Sequence, residues 1–139
     1  MKSLPINTPG TWVTFDHHEE AVFVPADNWV GFDLDGTLSR TDNPGHFEPP
    51  YPIGDPVPEM IFVAKMLIKM GVTVKIFTAR ACQSSNISIV QDWTETHGLG
   101  RLEVTNQKDY HLIRFYDDRA IQVIPNCGRS IAAFPKFVS

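Results

Sequence analysis

The fold of this chain is decided by residues 28–38, Asn28-Trp-Val-Gly-Phe-Asp-Leu-Asp-Gly-Thr-Leu38. The first part, Trp29–Phe32, predicts a short buried strand that runs directly into Asp33. Asp35 follows two positions later, and Gly36 then interrupts the regular backbone. Side chains two residues apart lie on the same side of an extended chain, so the two carboxylates can converge on one point.

Converging carboxylates repel each other unless a cation lies between them or one of them holds a proton. A hard divalent ion such as Mg2+ prefers oxygen ligands and would remove this repulsion. One carboxylate is then free to act as a nucleophile and the other to move a proton. The alternative is a strand followed by an Asx-type turn, in which Asp and Gly serve only the turn geometry.

Composition places the chain among ordinary globular proteins. The 139 residues are 42% hydrophobic and 20% charged, which predicts one domain with a sizeable core. The net charge is −4 and there is no basic block, so nothing indicates a nucleic-acid-binding surface. No apolar run approaches the length of a membrane span. Cys82 and Cys127 lack a metal-binding spacing and predict two reduced thiols in a cytoplasmic protein.

An N-terminal β-hairpin is predicted over residues 11–24. Two β-rich runs, Thr11–Phe15 and Ala21–Val24, flank the polar connection Asp16–Glu20. We expect this hairpin to extend the main sheet or to form a subunit contact. The acids and histidines of the connection suggest a metal site, but neighbouring residues in an extended tip point in different directions, which favours a solvent-exposed tip.

A proline-rich loop is predicted from Ser39 to Pro58, because six prolines and two glycines exclude a helix there. Long irregular loops in compact domains are often functional. The loop leaves the sheet beside Asp35, so we expect it to pass near the site and to gate the substrate. His46, Phe47 and Tyr51 would then supply contacts to a ligand.

The rest of the chain alternates between helices and strands, which predicts right-handed parallel crossovers. Residues 120–124 fit either a further strand or a short helix. The predicted elements are a helix over Glu59–Met70, a strand over Val72–Thr78, a helix over Ser84–His97, and strands over Leu102–Thr105 and His111–Tyr116, the last of them buried.

Polar residues follow each of these strands, and the carboxyl ends of parallel strands share the edge where α/β sheets bind ligands. Thr78 ends one strand, Lys108 follows the next, and Asp117 and Asp118 end the last. Adjacent acids after a buried strand are costly without a compensating ion. Singly, each residue has a plainer explanation: β-propensity for the Thr, surface charge for the Lys, and a turn for the acids.

Taken together, these residues resemble the four ordered signatures of the haloacid dehalogenase-like (HAD) phosphohydrolase superfamily. The resemblance covers roughly residues 28–124 and is carried by Asp33-Leu-Asp-Gly-Thr-Leu38, Phe77-Thr-Ala-Arg80, Lys108 and Asp117-Asp118. It implies a single domain, 1–139, with a Rossmann-like three-layer α/β/α sandwich, a central parallel sheet and the N-terminal hairpin in addition. No cap domain fits, so the implied type is small and capless, with an open site.

The resemblance also implies a Mg2+-dependent phosphatase that hydrolyses a phosphomonoester. Asp33 would form an aspartyl-phosphate, and Asp35 would act as general acid and base. Thr78 and Lys108 would hold and neutralise the phosphoryl group. The implied substrate-binding residues are Thr78, Ala79, Arg80 and Lys108, and the implied metal ligands are Asp33, Asp35 through its backbone carbonyl, Asp117 and Asp118.

Several alternatives stay open from the sequence. Arg80 and Arg119 each follow a signature directly and fit either a substrate contact or a structural salt bridge. The chain fits a phosphotransferase that uses an acceptor other than water, and a non-catalytic metal-binding interaction module on the same fold. The expected partner is a phosphorylated substrate, with no membrane, and a homodimer stays open.

Overall fold

The structure, a computed structural model, describes residues 8–16, 19–41 and 52–130. Eight strands and two α-helices lie in this part of the chain. They are β1 (Gly10–Val13), β2 (Val22–Pro25), β3 (Trp29–Phe32), α1 (Pro58–Lys69), β4 (Thr73–Phe77), α2 (Ser84–Thr96), β5 (Val104–Thr105), β6 (Leu112–Tyr116), β7 (Val123–Ile124) and β8 (Arg129–Ser130).

The central feature is a four-stranded parallel sheet in the order β5-β4-β3-β6. Phe32, the last residue of β3, is in register with Ile76 of β4 on one side and with Tyr116 of β6 on the other. The residues that follow these strands therefore emerge at one edge of the sheet. The predicted parallel sheet is confirmed, and so is the hairpin before it.

The core lies on one face of this sheet. Alternate residues of β3 and β4 point to that face, where they form a buried cluster with residues of both helices. Trp29 is also buried but is not part of this cluster. The helices thus share one face, and the described residues place no helix on the other. The cluster includes Val30, Phe32, Val74 and Ile76 from the strands, Ile61, Ala64 and Leu67 from α1, and Val90 from α2.

The N-terminal hairpin packs on the core and does not extend the parallel sheet, so that part of the expectation is wrong, while a subunit contact stays a prediction. Strands β1 and β2 pair only with each other, antiparallel, and bury Val13 and Val24 in the core. The Thr11 hydroxyl donates to the backbone oxygen of Met70 at the end of α1 (3.1 Å). The connection is not wholly solvent-exposed either, because Glu19 is half-buried and lies 3.4 Å from Arg114 of β6.

Both predicted helices are confirmed to within a residue at each end. Pro58 begins α1, Glu59 lies in its first turn and Lys69 in its last, which suits the helix dipole. Gly71 follows at a φ of 88°, in the left-handed region where glycine ends a helix without strain.

Three features differ from the expectation or go beyond it. A short 3-10 helix, Ala79–Cys82, lies between β4 and α2. Strand β6 is half-buried instead of buried, because it is an edge strand of the sheet. Residues 123–130 form a small antiparallel hairpin, so a strand occupies the segment that fitted strand or helix.

Cys82 and Cys127 are both free thiols, as predicted. Within the ranges that the structure describes, neither helix has the length and apolar character needed to span a bilayer.

Candidate functional site

Three carboxylates meet at the carboxyl edge of the sheet. Asp33 directly follows β3, and its backbone N–H donates to the backbone oxygen of Tyr116 (2.9 Å), the last residue of β6. Asp117 and Asp118 follow β6 and so emerge beside it. One carboxylate oxygen from each of these three residues lies within 4.8 Å of the others. We call Asp33, Asp117 and Asp118 the acidic cluster.

Thr37 and Gly36 hold this cluster together, and sequence reasoning did not assign either of them to the site. The backbone N–H of Asp118 donates to the Thr37 hydroxyl (3.1 Å), which donates in turn to Asp118 Oδ1 (3.1 Å). Asp33 Oδ2 lies 3.4 Å from the same hydroxyl. A Cβ on Gly36 would lie 2.5 Å from Asp118 Oδ2, and the φ of Gly36 is 92°. The only sequence signal for these roles is their position in the loop that opens with Asp33.

The acidic cluster brings three carboxylates close together. The pKa of Asp33 is raised from 3.8 to about 8. Burial is the largest cause, followed by a hydrogen bond with Asp118 and the charges of Asp117 and Asp118, while the backbone N–H of Leu34 acts in the opposite direction. A divalent cation would favour the ionised form of Asp33, and three carboxylates are a donor set that suits Mg2+. The residues present therefore fit the predicted metal.

Asp35 lies apart from the acidic cluster and pairs with Arg80. The guanidinium donates from Nε to Asp35 Oδ2 (2.7 Å) and from Nη2 to Asp35 Oδ1 (2.8 Å). Asp35 is 5% exposed and Arg80 is 8% exposed. Of the two possibilities left open for Arg80, the structure shows the salt bridge, while a contact with substrate stays a prediction.

The 3-10 helix after β4 contains Arg80 and places its side chain against Asp35. The Thr78 hydroxyl accepts from the backbone N–H of Arg80 (3.2 Å), and the Asn86 side chain donates to the Arg80 backbone oxygen (3.2 Å). A bidentate pair of this kind fixes both carboxylate oxygens. Two lone-pair positions of the Asp35 carboxylate stay available for another partner.

Thr78 and Asp33 line the same cavity, of about 260 Å3, at the carboxyl edge of the sheet. We call it the site cavity. Thr78 is buried, and its backbone N–H donates to the backbone oxygen of Thr105 in β5 (2.9 Å). This hydrogen bond fixes the position of Thr78 at the end of β4. Asp35 and Arg80 are not among the residues that line it, which are Asp33, Phe77, Thr78, Ala79, Phe115, Asp117 and Arg119.

Lys108, which the resemblance assigns to the phosphoryl group, and Arg119, which fitted a substrate contact or a salt bridge, differ in position. Arg119 lines the site cavity, and its backbone N–H donates to Asp117 Oδ1 (3.1 Å). Lys108 is exposed in the loop after β5 and does not line the cavity. Its long side chain gives it reach, so its role toward a phosphoryl group stays a prediction.

The proline-rich loop is only partly described. Ser39 forms an isolated antiparallel β-bridge with Pro56, and the backbone N–H of Arg40 donates to the backbone oxygen of Asp55 (2.8 Å). The two ends of the loop are therefore joined by backbone contacts. His46, Phe47 and Tyr51 lie outside the described residues, as do His17 and His18 of the hairpin connection. The prediction that the loop gates the substrate is therefore untested.

A larger cavity, of about 390 Å3, is lined by residues of α1, by Pro56 and by His97, which directly follows α2, and no carboxylate lines it. This cavity has the greater volume, but the site cavity is the one lined by carboxylates and a hydroxyl group. We therefore place the candidate site in the site cavity. Compared with known proteins, the chain matches no family model, no curated protein and no solved structure.

Proposed function

We propose that this chain is a Mg2+-dependent phosphatase of the HAD-like type, hydrolysing a phosphomonoester through an aspartyl-phosphate on Asp33. The observation that carries the proposal is the meeting of Asp33 with Asp117 and Asp118, beside a cavity that Asp33, Asp117 and Thr78 line. Phosphoryl transfer needs an in-line nucleophile and groups that stabilise charge on the transferring oxygens. The Rossmann-like three-layer sandwich is part of the proposal, and the described residues supply its sheet and one helical layer.

Mg2+ would be held by Asp33, Asp117 and the backbone carbonyl of Asp35, with Asp118 in or beside the first coordination sphere. When bound, it supplies the positive charge that keeps Asp33 ionised and offsets its repulsion from an anionic substrate. Three neighbouring carboxylates are the donor set for which this chemistry is suited.

The first half-reaction forms a bond from Asp33 to phosphorus and breaks the bond from phosphorus to the leaving oxygen. Asp35 gives that oxygen a proton. In the second half, Asp35 takes a proton from water as the water attacks phosphorus, which releases inorganic phosphate and frees Asp33. Thr78 and the backbone N–H of Ala79 hold a phosphoryl oxygen, and Lys108 offsets its charge.

The second candidate is a non-catalytic metal-binding module, and the Asp35–Arg80 pair is the observation in its favour. A carboxylate whose two oxygens both accept from a buried guanidinium is well suited to a structural role. On the phosphatase proposal the same carboxylate has to exchange a proton during each turnover. A phosphotransferase would share the first half-reaction and differ only in the acceptor.

A phosphatase screen on a panel of phosphomonoesters, with Mg2+ and with excess EDTA, tests these functions. We expect turnover that needs Mg2+ and that is lost in Asp117→Asn, since this variant removes a metal ligand. Asp27→Asn makes the same chemical change at an exposed aspartate and serves as the matched control. Mg2+ binding without turnover would favour the module, and turnover only with an added alcohol acceptor would favour the phosphotransferase. Undiminished activity in EDTA would rule out the metal.

A further inference from the structure

Two phenylalanines share the site cavity with Asp33 and Thr78. Phe77 is the last residue of β4 and directly precedes Thr78, while Phe115 lies in β6, two residues before Asp117. Both side chains are half-buried and both line the cavity. Neither belongs to the core cluster under the helices, nor to the residues packed against it. The core cluster under the helices therefore does not account for them.

The two rings form a corner. Their centroids are 4.7 Å apart and their planes meet at 82°, so the edge of one ring meets the face of the other. Trp29 lies beside Phe77, and the centroids of their rings are 6.5 Å apart. Gly31 lies beneath Phe115, where a Cβ would be 3.5 Å from Phe115 and 3.0 Å from Trp29. The two phenylalanine rings therefore pack closely against Trp29 and Gly31.

We propose that Phe77 and Phe115 bind the leaving group of the substrate, and that this leaving group is a small aromatic ring attached to the phosphoryl oxygen. The inference rests on the proposed function and leaves its reaction unchanged. A planar ring can stack on one phenyl face of the corner while its edge meets the other, which are the two arrangements that aromatic pairs prefer. Apolar walls beside a few polar groups are the usual make-up of a ligand site.

The volume of the cavity limits the size of the substrate. About 260 Å3 is at or below the lower end of the usual range for small-molecule sites, which is roughly 300–1,000 Å3. The phosphoryl group takes the end with Asp33 and Thr78, so the remaining room favours one ring over an extended group. An aryl phosphate is the chemical class that fits both the walls and the volume.

The test compares phenyl phosphate with two aliphatic esters, cyclohexyl phosphate and glycerol phosphate, in wild type and in Phe115→Ala. Comparing the variant with wild type on each substrate cancels the different reactivities of the leaving groups. We expect Phe115→Ala to lower kcat/KM about tenfold for phenyl phosphate, mainly through KM, because about 1.4 kcal/mol of ring contact is lost. The loss should be under about threefold for cyclohexyl phosphate and absent for glycerol phosphate.

Phe115→Leu separates aromatic contact from general apolarity, since leucine keeps an apolar side chain. We expect it to fall between wild type and Phe115→Ala on phenyl phosphate. Phe62→Ala, at an α1 position that is 63% exposed, is the matched control and should behave as wild type. Thermal melting of each variant, and inhibition by phenylphosphonate, show whether a loss reflects binding or folding.

The outcomes separate this inference from the proposed function. If wild type with Mg2+ hydrolyses other phosphomonoesters of the panel but not phenyl phosphate, the function stands and the aromatic specificity is wrong, whereas no turnover on any ester of the panel means that the proposed function fails. If wild type hydrolyses the three esters and Phe115→Ala loses the same factor on all three, the function stands and the aromatic specificity is wrong. Wild-type behaviour of Phe115→Leu on phenyl phosphate would also overturn the aromatic specificity. A poorly folded Phe115→Ala leaves the decision to Phe115→Leu and to Phe77→Leu, which must show the same preference.

Discussion

Asp33 and Asp35 are two residues apart in the sequence, yet they lie in opposite electrostatic surroundings. Asp33 is close to the carboxylates of Asp117 and Asp118, and its pKa is raised to about 8. Asp35 is more deeply buried but has the guanidinium of Arg80 on both of its oxygens. Asp33 thus has two carboxylates close to it, whereas Asp35 has a cation in direct contact.

This difference teaches how one short loop can hold two carboxylates for two tasks. A carboxylate among like charges needs a cation from solution, which is what a metal ligand and nucleophile requires. A carboxylate held by a buried guanidinium has a fixed position, which suits a structural role, and on the phosphatase proposal that fixed position orients the proton that Asp35 transfers. Substitution of Asp33 tests the first environment, and substitution of Arg80 or Asp35 tests the second.

The largest effect is expected from Asp33→Asn. The amide cannot attack phosphorus, so turnover should fall by at least about a thousandfold, as is usual on removal of a nucleophile. Without Mg2+ the same variant should melt at a higher temperature than wild type near pH 8, because it removes one of three repelling charges. Steady-state assays and thermal melting measure the two effects, with Asp27→Asn as the control. Near-normal kcat in Asp33→Asn would show that Asp33 is not the nucleophile.

The next effect is on stability and comes from Arg80→Met. Methionine keeps an apolar side chain but leaves Asp35 buried without its counter-charge, so the free energy of unfolding should fall by about 3–5 kcal/mol. Arg101→Met, which breaks an exposed pair with Asp92, should cost far less. Urea denaturation measures both. Adding Asp35→Asn to Arg80→Met should restore part of the stability, and equal losses in the two Arg variants would contradict the importance of the buried pair.

Asp35→Asn tests the other partner of the pair through catalysis. We expect turnover to slow by about a hundredfold or more, the usual scale for a general acid and base. The loss should be smaller with p-nitrophenyl phosphate than with alkyl phosphates, because a good leaving group needs less help from a proton. Brønsted plots of kcat against leaving-group pKa measure this. Equal losses for good and poor leaving groups would mean that Asp35 does not protonate the leaving oxygen.

Part of this site could be read from the sequence, and the reason is strand order. Asp33 and Asp117 each follow a predicted parallel strand, so their meeting at one edge follows from topology alone. The hydrogen bonds between Thr37 and Asp118 could not be predicted, since they join residues 81 positions apart through loop geometry. The partner of Arg80 depended on the 3-10 turn after Thr78, which has no clear sequence signal. Lys108 matches by order and spacing, yet its side chain is exposed in a loop whose path the sequence does not determine.

The smallest effect, counted per pH unit, is the pH dependence of the acidic cluster. Because folding raises the pKa of Asp33 from 3.8 to about 8, the folded protein without metal binds a proton more tightly than the unfolded chain does. The stabilisation that this proton gives is complete below about pH 4 and is lost as the pH rises through 8. Mg2+ needs the ionised carboxylate, so below pH 8 it has to displace this proton, and its affinity should weaken by about tenfold for each pH unit.

Thermal melting with and without Mg2+ from pH 5 to pH 9 measures this linkage. The stabilisation by Mg2+ should grow with pH and level off above pH 8, since Asp33 is then already ionised. In Asp33→Asn the remaining stabilisation should lose most of this pH dependence, because the titrating group is gone, whereas Asp27→Asn should keep the wild-type profile. A wild-type profile that is flat across this range would mean that Mg2+ does not bind at Asp33.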